Sequence, residues 1–159
     1  MTLVEKIFGH LKTILTHKWY VFIYCCKLGI PWQGIKHDLS KFSWTEFSES
    51  VKYYQGGEKS PIPTIKKENG YSKAWQHHKG RNPHHYEYWT DNYDNGTTCI
   101  EMPRKYVLEL CADWLAAGKT YNKNFSIEDE IKWWNDCKDY KFIHPRTKEL
   151  ISEIFEQFK

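Results

Sequence analysis

The stretch TLVEKIFGHLKTILTHKWYVFIYCCKL, residues 2–28, decides the fold class. Leu3, Ile7, His10, Ile14, His17, Val21, Tyr24 and Leu28 recur at alternating steps of four and three, the period of a helix with one face turned to a core. Thr2 with Glu5 spells a capping box at its start, and Gly29 with Pro31 ends it. Downstream, the segment from Trp32 to Lys41 is short. Ser43 with Glu46 caps a helix predicted to run to Gln55, where Gly56-Gly57 stops it. Residues 56–70, with Pro61 and Pro63, read as a surface loop. Tyr71 to Lys79 reads as a helix closed by Gly80, and Asn82-Pro83 as the opening of another that reaches Asp91. Residues 92–102, with Asn95-Gly96, read as a second loop.

Pro103 then starts a helix through Tyr106, Leu110, Asp113 and Ala117 that ends at Gly118. Ser126 with Asp129 caps a helix carrying Trp133-Trp134, and His144-Pro145 opens the last one, to Phe158. No segment sustains period-2 alternation. The expected fold is therefore all-α, one compact domain over residues 1–159 built from about six to eight helices.

Composition narrows the function classes. Aromatic residues make up 17% and charged residues 27% of the 159 residues, which predicts a packed globular chain. The net charge of +3 is small and scattered, so a nucleic-acid partner is not expected. No apolar run reaches the length of a membrane span, and residues 1–6 lack the pattern of a signal peptide. A cytoplasmic protein is expected, with Cys25, Cys26, Cys99, Cys111 and Cys137 as free thiols.

Chemistry concentrates in the histidines. His10 and His17 lie seven residues apart on the apolar stripe, within about 20° of each other around a helix. Asp113 shares the inward stripe of its own helix. A buried carboxylate needs a cation or several hydrogen bonds. Along the chain the order is His17, His37-Asp38, the doublets His77-His78 and His84-His85, then Asp113. These donors suit one or two divalent transition ions (Fe, Mn, Co, Ni or Zn) held between helices.

This order resembles the metal-dependent phosphohydrolase superfamily named for its His-Asp doublet, and the run HDLSK, residues 37–41, is similar to the H-D-[IL]-G-K signature of its two-metal members, with Ser40 in place of glycine. The strings HDLSKF, WQHHKGRNPHHYEYW (residues 75–89), Met102-Pro103 and His144-Pro145 also resemble a bacterial and phage domain family of unknown function. The superfamily resemblance implies His17, His37, Asp38 and Asp113 as metal ligands. It implies His78 with His84 or His85 at a second ion, the choice within each doublet staying open. Only five residues separate His78 from His84, so one ion and two are both open. Lys41 resembles the lysine that meets substrate phosphate.

The implied activity is hydrolysis of a phosphate ester, of a nucleotide or another small phosphorylated molecule. Lys41 or Arg81 would counter charge in the transition state. His77, beside a ligand in its doublet, would orient or protonate the leaving group. Two alternatives share the ligand set: a di-iron oxygenase related to the superfamily, and a non-catalytic, metal-stabilised nucleotide-binding module. The oligomeric state is not legible in the sequence.

Overall fold

The computed structural model describes residues 1–158. Its longest element is α1 (Leu3–Lys27), started by the capping box. The Thr2 backbone N–H donates to Glu5 Oε2 at 2.7 Å, and the Glu5 N–H to Thr2 Oγ1 at 3.3 Å. The inward stripe buries His10, Ile14, His17, Val21 and Tyr24, while Leu3 at the frayed end stays exposed. The helix packs along α6 (Arg104–Tyr121), and α2 (Pro31–Lys36) and α3 (Trp44–Lys52) pack against α1. On the other side of α6 lie α7 (Ile127–Cys137) and α8 (Pro145–Glu156). α6 is enclosed around most of its circumference, burying Val107, Leu110, Cys111, Ala112, Leu115 and Ala116 together with Glu109 and Asp113. An apolar cluster of Val21, Cys25, Leu110, Trp134, Ile151 and Phe155 fixes where these carboxylates sit.

The chain is mostly helical, as its periods imply, with eight α-helices among the described residues. No described helix is long and apolar enough to cross a membrane. Four local readings are corrected. Residues 56–70 are not all loop, because α4 (Ile62–Asn69) forms there. Pro61 and Pro63 sit at its entry, where a missing N–H costs nothing. Gly80 does not close α5 (Lys73–Arg81), which continues to Arg81 with Asn82 as its cap.

Asn82-Pro83 opens no α-helix. After a 3-10 turn at Tyr86–Trp89 the chain forms a hairpin, β1 (Thr90–Tyr93) antiparallel to β2 (Gly96–Cys99). Most of its residues are exposed, so no buried face imposes alternation, and Gly96 adopts φ +147° beside the turn. Finally, Gly118 does not end α6, which runs on to Tyr121. A side chain at 118 would collide with Glu130 of α7, so this glycine serves close approach.

Candidate metal centre

α1 and α6 bring His17 and Asp113 face to face, with His17 Nε2 2.9 Å from Asp113 Oδ1. The connection between α2 and α3 supplies the doublet. The short segment from Trp32 to Lys41 that carries the doublet is not one continuous helix. Instead the helix ends at Lys36, and Asp38 takes φ 55°, ψ 29° before a 3-10 turn at Leu39–Phe42. Asp38 is the one non-glycine residue with positive φ among those described, and a left-handed backbone of this kind is held only where surrounding contacts over-determine it. Lys18 Nζ provides one such hold, donating to the carbonyls of His37 and Ile35.

The bent backbone buries the Asp38 carboxylate at the middle of the cluster, and its two oxygens face different partners. Oδ2 lies 3.1 Å from His37 Nε2 and 3.7 Å from His17 Nε2, while Oδ1 lies 3.3 Å from both His78 Nε2 and His84 Nε2. Two donor sets follow, His17, His37, Asp38 and Asp113 in one and Asp38, His78, His84 and His85 in the other. Within each, the ligand atoms lie within 4.8 Å of one another, and every residue is buried.

Whether these residues fit metal ions is decided by their unused atoms. His17 Nε2, His37 Nε2, His84 Nε2, His85 Nε2 and both Asp38 oxygens are buried and find no aligned hydrogen bond. So many convergent orphan acceptors and imidazole nitrogens would be costly in a purely structural core. They match the borderline donors of a divalent transition ion.

Two carboxylates orient the rings from behind. Glu109 Oε1 lies 3.0 Å from His37 Nδ1 and 3.1 Å from His84 Nδ1, which leaves both Nε2 atoms aimed at Asp38. Glu46 Oε2 takes His78 Nδ1 at 2.8 Å, and its Oε1 takes His77 Nδ1 at 2.6 Å. Carboxylate–histidine pairs of this kind fix the tautomer of a ligating imidazole. The capping-box reading of Glu46 is thereby corrected: Ser43 Oγ does accept from the Glu46 N–H, but the Glu46 side chain reaches the histidines instead. Ser40, standing where the resemblance expects glycine, is 3.3 Å from His78 Nδ1 and accepts from Asn82 Nδ2.

Charge is dense and balanced. Burial alone would push the Asp38 carboxyl up, but the charges of His37, Lys41 and His78 hold it well below the usual range. Asp113 behaves likewise, burial opposed by the adjacent rings of His17 and His37, which hold its carboxyl well below the usual range. Burial disfavours the charged ring of His37, yet Asp38, Asp113 and Glu109 together raise its pKa well above the ordinary imidazole value. His85 goes the other way, lowered by burial and by His84. Lys41 Nζ lies 2.5 Å from Asp38 Oδ2, so its charge is committed to the central carboxylate.

One face of the cluster opens to a cavity of about 480 Å³, reached by His17, His78, His85, Asp113 and Lys41. His77 is half-buried and tied to Glu46, and does not line this cavity. Arg81 is exposed at the end of α5 and does not line it either. The seven ligand candidates and Lys41 do come together. Glu46 and Glu109 are the partners that sequence reasoning missed or set aside, Glu109 standing one turn before Asp113 on α6 but off the stripe read from Tyr106 to Ala117.

Residues 6–157 match a family of unknown function, DUF5662. The chain belongs to this family. No curated protein and no solved structure matches it.

Proposed function

We propose that this DUF5662 protein is a metal-dependent hydrolase of phosphate esters, acting in the cytoplasm on a nucleotide or another small phosphorylated molecule. The observation that carries the reading is the division of Asp38, with one oxygen facing each of two four-residue donor sets. Divalent ions held by the two donor sets would supply Lewis acidity for the phosphoryl oxygens and lower the pKa of a bound water. The chain's own residues do the rest. Glu109 and Glu46 hold His37, His84 and His78 with Nε2 forward. Lys41 balances Asp38 at the cavity edge and places a cation beside the reacting phosphate. The order of these residues along the chain agrees with the resemblance to the His-Asp phosphohydrolase superfamily. The cavity is of a size that takes a whole small organic phosphate rather than the phosphoryl group alone.

The test is elemental analysis after anaerobic reconstitution with Mn, Fe, Co or Zn, followed by a panel of phosphomonoesters and phosphodiesters with and without oxygen. Two ions per chain with oxygen-independent release of phosphate or alcohol is the expected result. Substoichiometric metal after every reconstitution overturns the reading. Turnover that requires iron and oxygen turns it into the oxygenase alternative, and metal without turnover into the binding module.

A further inference from the structure

Tyr86, Trp114 and Trp133 line the same cavity as the donor sets, and Lys141 stands among them. Lys141 Nζ lies 5.0 Å from the ring centroid of Trp133, 5.5 Å from that of Tyr86 and 5.7 Å from that of Trp114. Three ring faces hold one ammonium, which fixes its position while leaving its N–H groups free. The two cavity lysines are thus in opposite situations. Lys41 is paired with Asp38, whereas among the described residues no carboxylate lies within ion-pair distance of Lys141. Glu87 and Glu130 line the same cavity, and neither forms an ion pair with Lys141.

We infer that Lys141, seated on Trp133, Tyr86 and Trp114, is a second anion-binding point, and that the enzyme prefers phosphate esters whose alcohol carries a further anionic group. This inference rests on the proposed hydrolysis at the metal centre and names its substrate class. The reacting phosphate lies at the donor sets, the carbon body crosses the aromatic wall, and the second phosphate or carboxylate accepts from the free Lys141 N–H groups. A cation already stripped of part of its water and pinned in place meets an anion at lower cost than a mobile surface lysine.

The experiment uses the metal-reconstituted full chain and a series of α,ω-alkanediol bisphosphates of two to six carbons, each against the monoalkyl phosphate of the same length. At the best length, kcat/KM should favour the bisphosphate by about tenfold or more, the scale of one added charge-assisted contact. Lys141→Met, which keeps the packed stem, should bring that ratio close to one. Lys141→Arg should keep part of it, and exposed Lys132→Met on α7 should leave it unchanged. Calorimetric titration of the same esters reads the preference without turnover. No turnover, but tighter bisphosphate binding lost in Lys141→Met, refutes the hydrolase and keeps the anion site. Turnover or binding with equal preference at every length, or a preference that Lys141→Met retains, overturns the anion site and leaves the hydrolase standing.

Discussion

Glu109→Gln is the sharpest test of the two-site geometry, because one oxygen of this residue serves one ligand in each donor set. Glu109 Oε1 accepts from His37 Nδ1 at 3.0 Å and from His84 Nδ1 at 3.1 Å, all three groups being buried. Glutamine keeps a carbonyl oxygen at the same reach and removes the charge. A hydrogen bond to a charged group contributes about 1.5–3 kcal/mol against about 0.5–1.5 for a neutral one, so each histidine loses roughly 1 kcal/mol of orientation and basicity. That corresponds to roughly five- to tenfold weaker binding at each site, just below the roughly 10–100-fold expected when such a supporting partner is lost outright. Glu109→Leu removes the acceptor altogether and leaves two buried N–H groups, so the loss should pass about 100-fold, with the protons of both rings free to move to Nε2. Chelator competition gives the two affinities, long-range ¹H–¹⁵N spectra give the tautomers, and circular dichroism separates a weakened site from a lost fold. A folded Gln variant with wild-type affinity at both sites, or a Leu variant with unchanged tautomers, would refute the supporting role of Glu109.

Asp38→Ala should release both ions rather than one, and elemental analysis that finds one ion retained would remove the bridge. Lys41→Ala should keep the metal, since an ammonium has no lone pair to give, and lose about 2–4 kcal/mol of transition-state stabilisation; unchanged kcat/KM would leave Lys41 only its pairing with Asp38. Metal affinity should rise with pH from about 6.5 upward, because ions compete with the protons that Asp38 and Glu109 favour on His37 and His84. A pH-independent affinity would contradict that competition. His10 is lowered to about 4 by burial and by Lys41. The stability it confers is thus present above the unfolded value of about 6.5 and lost as pH falls from there towards 4, amounting to roughly 3 kcal/mol. Denaturation of His10→Leu across that window should show a correspondingly shallower acid limb.

Most of the fold was legible because its signals are local. The stripe from Ile7 to Tyr24 turns His17 inward by period alone, and the stripe through Leu110 and Asp113 does the same on α6. What escaped was hidden by a second, equally good local reading. Glu46 occupies the capping-box position after Ser43, and only the packing of α3 on α5 shows its side chain spent on His77 and His78. Glu109 lies off the stripe read from Tyr106 to Ala117. It is buried because α6 is covered on more than one side, which is a tertiary fact.

The two doublets show why linear spacing left the number of donor sets open. Five residues between His78 and His84 are fewer than in the superfamily pattern the chain resembles, and a second helix is expected from Asn82. No helix begins there. α5 ends at Arg81, the Asn82 side chain donates to the His78 carbonyl at 2.7 Å, and the turn that follows folds the chain back on itself. The His85 ring then lies 4.7 Å from that of His78 and 4.3 Å from that of His84. A short separation in sequence therefore brings three imidazoles to one side of Asp38, while the left-handed backbone at Asp38 presents its other oxygen to His37 and His17. Two irregular turns, each unreadable as helix or strand, convert one row of histidines into two donor sets. Straightening the turn after α5, by Pro83→Ala with Asn82→Ala, should cost the set of His78, His84 and His85 while the other remains, whereas forcing α2 to continue through Asp38, which both sets share, should cost both.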